Sequence, residues 1–330
     1  RSLLNAAVSE RDAASADAQA ARNLLAHSVV RSYLNLQNAM AQHRVLEEIL
    51  KQRTDVAALT RDRQRNGLDT MVEVKQAESA VAAVRVSLTQ EETTIAQLRN
   101  QAAALVGAGP DRGRAITAAQ LTVPAGVLPE NVPLELLGHR PDVTAARWRA
   151  EAARSRIEAA KADFFPNVNL AAFVGFQSLG VNNLFDGGYT WGVGPAVTLP
   201  VFHGGALNAQ LAGRRAEADV AVADYNQAVL DAVHQTADAL DALRLIEREK
   251  REQRQARLAI EDAYSLAVQR YKAGLGNYLT VLIAQNSVLD QDRLDTDVQM
   301  RAYQLDADLA YALGGGYQDT ATATADTTSK

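Results

Sequence analysis

The chain has 330 residues, a formal net charge of −5 and no cysteine. The absence of cysteine excludes a disulfide scaffold and thiolate metal sites. The net charge is negative, whereas nucleic-acid-binding proteins carry an excess of lysine and arginine, so we expect no nucleic-acid partner. Aromatic residues make up 5% and charged residues 22% of the chain, a composition typical of long, closely packed helices. No run of about 18 apolar residues occurs, so the sequence predicts no transmembrane helix.

The distribution of proline and glycine sets the boundaries of the predicted helices. All eight prolines lie between Pro110 and Pro200, and Gly67 is the only glycine before residue 107. Since proline and glycine are the main helix breakers, the long stretches without them predict very long helices. In chain order, the predicted elements are a helix at 2–64, a turn at 65–69, a helix at 70–105, a helix at 206–272, a turn at 273–277 and a helix at 278–313.

The two helical stretches form an internal repeat. An offset of 207 residues places Gly67 on Gly274 and Val74 on Val281, so the simplest interpretation is a duplicated helical hairpin. Apolar residues in the second helix recur at alternating steps of three and four, which predicts a left-handed coiled coil. On this evidence alone, a soluble coiled-coil scaffold is an open alternative.

The middle of the chain has a different character. Residues 108–140 are rich in proline and glycine and predict a compact connector, and Pro141 opens a helix that reaches about residue 162. Alternating side chains then predict two strands, one from Val168 to Gln177 and one at 189–201, joined by a loop at 178–188. All six phenylalanines lie between residues 164 and 202.

The second predicted strand has two faces of different chemistry. Its bulky apolar residues alternate with small, uncharged ones such as Gly194 and Ala196. Aromatic residues lie near the strand ends, as in the interface girdles of membrane barrels, and strands of this length cross a bilayer when tilted. We therefore predict a membrane β-hairpin rather than a soluble one. The side chains expected to face lipid are Tyr189, Trp191, Val193, Val197 and Leu199.

Four stretches of the chain together resemble one protein family. They are Arg140-Pro141-Asp142-Val143, Ala162-Asp163-Phe164-Phe165-Pro166, the stretch from Gly194 to Gly205, and the stretch from Arg270 to Leu279. In this order and combination the chain resembles the TolC-like outer-membrane efflux channels that serve multidrug pumps. The similarity extends over nearly the whole chain up to Gly314. One departure is His203, where the family more often has Asp or Asn.

The resemblance implies a fold class and a set of partners. The expected fold is mainly α with a membrane β-hairpin, in which duplicated coiled-coil hairpins form an α-barrel and the strands contribute to a trimeric β-barrel. The implied partners are further copies in a homotrimer, a periplasmic adaptor protein, an inner-membrane RND-type pump and outer-membrane lipid. The implied function is an exit duct in the bacterial outer membrane, extending through the periplasm, that exports small toxic compounds and gives antibiotic resistance. The duct of a type I protein-secretion system is the related alternative.

Nothing in the sequence points to an enzyme. The chain has no GxSxG, P-loop, HExxH or dinucleotide fingerprint, and its five histidines lack the spacing of metal ligands. We therefore expect no catalysis, no cofactor and no bound metal.

The two predicted turns are the candidate functional sites. In the resembled family the hairpin tips converge at the periplasmic entrance, where carboxylates and polar contacts between helices hold the channel shut. The candidate gate residues are Asp69, Glu73, Asn277 and Thr280, and the turn glycines are Gly67, Gly274 and Gly276.

Helix capping is an alternative explanation for part of this set. Thr70 and Glu73 have the spacing of a capping box, and Asn277 is a favourable N-cap residue. Asp69 has no such explanation, so its carboxylate is the stronger gate candidate. The candidate partners of that carboxylate are Arg63, Arg65 and Arg270.

The resemblance also divides the chain into segments. The expected segments are the first long helical hairpin (1–107), an equatorial connector (108–140), a helix leading to the barrel (141–163), the outer-membrane β-hairpin (164–203), the second long helical hairpin (204–314) and a disordered tail (315–330). A strand pair precedes the second helical hairpin but not the first. We therefore expect a further N-terminal segment with a second β-hairpin, an export signal and the lipidated cysteine of a lipoprotein.

Overall fold

The computed structural model describes residues 1–119, 121, 138, 140–176 and 189–315. Within these residues the chain forms six helices and two strands. In chain order they are α1 (Ser2–Arg65), α2 (Met71–Leu105), α3 (Pro110–Arg114), α4 (Pro141–Ala162), β1 (Asn167–Phe176), β2 (Tyr189–Thr198), α5 (Ala206–Lys272) and α6 (Tyr278–Ala312). None of the described helices is both long and apolar enough to cross a membrane.

The four long helices confirm the predicted ones to within a residue or so at each end. α1 ends at Arg65 and α5 at Lys272, two positions related by the repeat offset. The prediction missed α3, which lies in the expected connector and has Pro110 at its start, where the missing N–H costs no hydrogen bond. Connector residues 120, 122–137 and 139, the predicted loop at 178–188 and the tail from residue 316 lie outside the described residues.

The chain divides into two compact units, of which the first comprises Arg1–Ala18 and Pro141–Asp231. In this unit α4 lies beside the first turns of α1. Arg156 pairs with Glu10 at 2.5 Å, and Arg149 pairs with Asp17. Several alanines of α4 are buried, and because alanine adds no bulk beyond Cβ, it lets neighbouring helices approach closely.

The β-hairpin belongs to the same unit. β1 and β2 pair antiparallel, with Val168 opposite Val197 and Val174 opposite Trp191, so these four side chains share one face of the hairpin. On the other face the ring of Phe173 covers Gly192 so closely that a Cβ on Gly192 would lie 2.6 Å from the Phe173 Cε1 atom. The pairing register therefore places the alternating residues of the two strands on the two faces that the sequence predicts.

The predicted second strand was too long. β2 ends at Thr198, so Leu199, which was expected on the lipid-facing strand, lies outside it. The pairing register puts Asn167 opposite Thr198, and its continuation would put Pro166 opposite Leu199. Because proline has no N–H to donate to a strand ladder, pairing ends one residue earlier on each strand.

The second unit comprises the described residues of Gln19–Arg140 and Ala232–Lys330. Its core lies among the four long helices. One cluster of buried side chains draws on all four helices and includes Val56, Ala77, Tyr271 and Val281. A second cluster joins Leu46 and other residues of α1 to α2 and α6. Fully burying an aliphatic side chain stabilises the fold by about 1.5–3 kcal/mol, so these clusters fix the helices side by side.

Polar contacts between α1 and α6 form what we call the intrachain seam. Its members include Asn38, whose amide donates to Asp297 at 2.9 Å, and Arg53, whose guanidinium donates to the side-chain oxygen of Asn286 at 2.6 Å. Gln42 donates to the backbone oxygen of Arg293 at 2.9 Å. These bonds fix the register of the two antiparallel helices over several turns.

Arg140, from the motif that opens α4, anchors the end of α6. Its side chain is buried and donates to the backbone oxygen of Ala312 and to Gln235, both at 3.0 Å. A cation is favourable at the carboxyl end of a helix, where backbone carbonyls lack partners. Arg140 therefore has a structural function in this chain.

Candidate functional site at the helix turns

The turns after α1 and after α5 have the same backbone geometry. In the first, Gly67 has φ +73° and the N–H of Leu68 donates to the Arg63 carbonyl at 2.9 Å. In the second, Gly274 has φ +74° and the N–H of Leu275 donates to the Arg270 carbonyl at 2.8 Å. This is the Schellman ending of a helix, which needs a left-handed residue. Both glycines therefore occupy positions that other residues enter only with strain.

The third predicted turn glycine differs from these two. Gly276 does not have a positive φ, so glycine is not required there for its backbone conformation. A Cβ added at Gly276 would lie 3.4 Å from the nearest atom, the backbone nitrogen of Tyr271. That is ordinary van der Waals contact, so this position accepts a small side chain.

Both turns lead into capped helices, as predicted. The Thr70 hydroxyl oxygen accepts a hydrogen bond from the N–H of Val72 at 3.1 Å, and the N–H of Thr70 donates to the Glu73 carboxylate at 2.8 Å. Hydrogen bonds from the Thr70 hydroxyl and backbone lower the pKa of Glu73. In the second turn the Asn277 side chain accepts from the N–H and the hydroxyl of Thr280, at 3.0 and 2.8 Å. Glu73, Asn277 and Thr280 therefore all take part in helix capping.

Asp69 differs from the three capping residues, because its carboxylate is buried and is paired with an arginine. The Arg63 Nε donates to one carboxylate oxygen at 2.9 Å, and the Arg63 Nη2 lies 3.5 Å from the other. Both side chains are only 9% exposed. Of the three arginines suggested by the sequence, Arg63 is the partner, whereas Arg65 pairs with Asp62 at 3.3 Å.

The same carboxylate connects the two halves of the repeat. The Tyr271 hydroxyl, from the last turn of α5, donates to Asp69 at 2.5 Å and lies 3.1 Å from the Thr60 hydroxyl. The Arg63 guanidinium also lies over the Tyr271 ring, 4.5 Å from its centroid. Thr60, Arg63, Asp69 and Tyr271 are called the tip cluster below.

Burial shapes the protonation of the tip cluster. Tyr271 is fully buried, and burial together with the hydrogen bond to Asp69 raises its pKa to about 12. The hydrogen bond to Asp69 raises the pKa of Arg63. A neutral tyrosine and a charged arginine therefore face the carboxylate, and both are hydrogen-bond donors to it. Such a donor set can hold two helical hairpins together without any covalent chemistry.

Exposed apolar side chains also lie in and beside the two turns. They are exposed by 54–71%, although single exposed apolar residues alone need no explanation. Here they are grouped along the chain, in the two turns and in the first turns of α2 and α6. The members are Leu68, Met71, Val72, Leu275 and Leu279.

The sequence identified Asp69 but missed two of its neighbours. Tyr271 lies in the stretch from Arg270 to Leu279 that carries the family resemblance, and Thr60 lies in none of the motifs. Neither carries a local signal, because their contact depends on a separation of about 200 positions along the chain. Among the described residues, no group of three His, Asp or Glu side chains is placed to hold a metal ion.

The long helical hairpins and the antiparallel strand pair are also found in solved outer-membrane channels. A solved structure of this class, the outer membrane protein VceC from Vibrio cholerae, superimposes with a TM-score of 0.88 at 38% identity, covering 96% of this chain and 76% of VceC. The sequence matches the family model "Outer membrane efflux protein" over residues 1–108 and 132–315. The chain therefore belongs to the outer membrane efflux protein family, and its location is the bacterial outer membrane.

Two curated relatives illustrate the range of this family. The toluene efflux pump outer membrane protein TtgC of Pseudomonas putida is 33% identical over 301 residues, which cover 89% of this chain. The outer membrane protein OprJ of Pseudomonas aeruginosa is 32% identical over 322 residues, which cover 97% of this chain and 67% of OprJ. The match covers 61% of TtgC, so the chain spans about three fifths of the length of that relative.

Proposed function

We propose that the protein is the outer-membrane exit duct of a tripartite efflux pump for small toxic compounds. Membership of the outer membrane efflux protein family is the observation that carries this proposal. A relative named as part of a toluene efflux pump supports small, apolar substrates, rather than the proteins that a type I secretion duct exports. The duct itself performs no catalysis and uses no cofactor, since the pump supplies the energy.

We further propose that the tip cluster acts as a gate. Its buried carboxylate receives hydrogen bonds from Arg63 of the first helical hairpin and Tyr271 of the second. Hydrogen bonds to a charged group contribute about 1.5–3 kcal/mol each, which suffices to keep the two hairpins together at the periplasmic entrance. Opening then requires Asp69 to lose at least one of these donors.

The proposed partners are two further copies in a homotrimer, a periplasmic adaptor protein and an RND-type pump of the inner membrane. The exposed apolar side chains at the two turns, such as Leu68 and Leu275, support adaptor binding at the tips. Contiguous exposed apolar residues often mark protein interaction sites. For the β-hairpin we propose that Tyr189, Trp191, Val193 and Val197 face outer-membrane lipid, because they lie on one face of β2 and are exposed.

Reconstitution of the full-length protein in planar lipid bilayers tests the passive duct directly. We expect discrete ionic conductance steps that need neither nucleotide nor an ion gradient. A matched preparation with arginine in place of Val197 controls for contaminating porins, because much less of this variant should insert. Absence of conductance from a correctly assembled wild-type trimer would contradict the proposal.

A further inference from the structure

A cavity of about 420 Å³ lies where α1, α2 and the segment after α3 meet. Its volume falls within the roughly 300–1,000 Å³ that is typical of small-molecule sites. Each of the three elements contributes to the wall: Met40 comes from α1, Ile95 from α2 and Ala118 from the segment after α3. None of the wall residues belongs to the tip cluster, so the proposed gate does not account for this cavity.

Polar contacts hold the third wall in place. The Gln37 side chain donates to the backbone oxygen of Thr117 at 3.1 Å and accepts a hydrogen bond from the N–H of Ala119 at 2.8 Å. Arg99 of α2 donates through Nη2 to the backbone oxygen of Ile116 at 3.0 Å. Because these bonds fix the segment against both helices, the cavity is a built feature of the fold.

Two arginines without an acidic partner line the cavity. Arg44 comes from α1 and Arg99 from α2, and neither forms an ion pair with an acid in the part of the chain that the structure describes. The Nε atom of Arg99 is buried and has no hydrogen-bond partner among those residues. A buried donor without an acceptor is destabilising, so this atom is suited to an acceptor that enters the cavity.

The acids near the cavity are positioned beside a histidine. His43 lies 3.7 Å from Glu92 through Nε2 and 3.7 Å from Glu47 through Nδ1. Glu92 is the one acid among the wall residues that the structure describes, and its side chain is 65% exposed. Two arginines and one glutamate therefore leave the wall with a net positive charge.

The second half of the repeat has no equivalent of this site. At the offset of 207 residues, Arg99 corresponds to Asp306 and Ile95 corresponds to Ala302. An acid thus takes the place of the arginine, and a small side chain takes the place of isoleucine. Coiled-coil packing, which both helical hairpins share, does not require the cationic wall.

We propose that this cavity binds a small organic anion with an apolar body, such as an aromatic carboxylate. The carboxylate accepts hydrogen bonds from the Nε of Arg99 and from the guanidinium of Arg44, and the apolar body packs against Met40 and Ile95. Hydrogen bonds to a charged group are roughly twice as strong as neutral ones, so an anion fits these donors better than a neutral polar molecule does. An inorganic anion would leave the apolar part of the cavity unfilled. The site does not depend on the proposed export function.

Equilibrium dialysis of cinnamate against the full-length, detergent-purified protein tests the site. Cinnamamide is the neutral control, because it has the same apolar body without the charge. We expect the wild-type protein to bind cinnamate at least about tenfold more tightly than cinnamamide, since the charge strengthens the hydrogen bonds to the arginines. Equal affinity for the two compounds would overturn the proposal.

Three variants connect the binding to the arginines. Arg99→Met and Arg44→Met should each weaken cinnamate binding roughly tenfold or more. Arg44 is exposed, so its variant gives the answer even where Arg99→Met disturbs the contact with Ile116. Arg85→Met, at an exposed position of α2 that does not line the cavity, is the matched control and also measures uptake by detergent. Equal cinnamate binding by Arg44→Met and Arg85→Met would refute the site.

Two further measurements locate the ligand. In crystals of the full-length protein soaked with a bromine-labelled cinnamate, the anomalous bromine peak should lie between Ile95 and Ala118; a peak only elsewhere would refute the assignment. Ala118→Cys places a thiol on the exposed wall of a sequence that has no cysteine of its own. Cinnamate should slow its reaction with a water-soluble maleimide severalfold. A thiol already shielded without ligand would show that another part of the assembly fills the cavity, and the ligand site would be wrong.

Discussion

Replacing Tyr271 by phenylalanine removes one atom from the centre of the tip cluster. The buried ring stays in place, and so does the Arg63 guanidinium 4.5 Å from its centroid. The change deletes the hydrogen bond from the hydroxyl to Asp69 and the contact with Thr60. The variant therefore tests the link between the two helical hairpins without creating a cavity.

The size of the effect follows from the lost donor. A hydrogen bond to a charged group contributes about 1.5–3 kcal/mol, and each 1.4 kcal/mol corresponds to about a tenfold change in an equilibrium constant. If the tip cluster keeps the duct closed, Tyr271→Phe should shift the closed-to-open equilibrium roughly 10- to 150-fold toward the open state in each protomer. Asp69→Ala should shift it further, because it also leaves Arg63 buried without its partner.

Single-channel recording in planar bilayers measures this shift as open probability and conductance. Tyr264→Phe is the matched control, because Tyr264 also lies on α5 and its hydroxyl contacts Gln285 at 3.4 Å, away from the turns. We expect Tyr264→Phe to behave as wild type. Tyr271→Phe with wild-type open probability and wild-type thermal stability would refute the gating role of the tip cluster.

The remaining predictions concern pH, the turns and the strands. The raised pKa of Tyr271, about 12, contributes stability that is fully present below about pH 10. That stability should be lost as pH rises from 10 to 12, and the loss should be absent in Tyr271→Phe when thermal unfolding is followed by circular dichroism. Gly67→Ala should cost about 1–2 kcal/mol from its left-handed φ, whereas Gly276→Ala should unfold at nearly the wild-type denaturant concentration; equal midpoints would contradict the turn assignment. Val197→Arg should cost about 2–4 kcal/mol at the bilayer midplane and lower the heat-modifiable, folded fraction, whereas Ala196→Arg should mainly change conductance; equal tolerance at both positions would contradict the lipid-facing assignment.

The helical part of the fold was predictable because its signals are local. The absence of proline and glycine indicates the long helices, and the repeat offset alone relates Gly67 to Gly274, whose φ values match in the structure. The capping box at Thr70 and Glu73 was likewise visible from a spacing of three residues. Such features need no knowledge of distant parts of the chain.

The errors and omissions have non-local causes. β2 ends where its next partner would be Pro166, the residue before β1, so the alternation that continues to residue 201 was misleading about the length of the strand. Tyr271 is buried at a position that an aliphatic residue could also occupy, and only the fold brings its hydroxyl to Asp69. The choice of Arg63 among three arginines was equally undetermined, because it depends on how the turn at Gly67 directs Asp69 back toward α1.

The central claim is that this chain is part of the outer-membrane duct of an efflux pump, and dye accumulation in cells tests it most directly. In a host that lacks its other outer-membrane efflux channels, we expect deletion of the gene to raise the steady-state accumulation of a fluorescent toxic dye. Expression of the wild-type gene should restore low accumulation, and expression of the Val197→Arg variant should not. Unchanged accumulation on deletion, in cells where the wild-type protein is abundant in the outer membrane, would contradict the account.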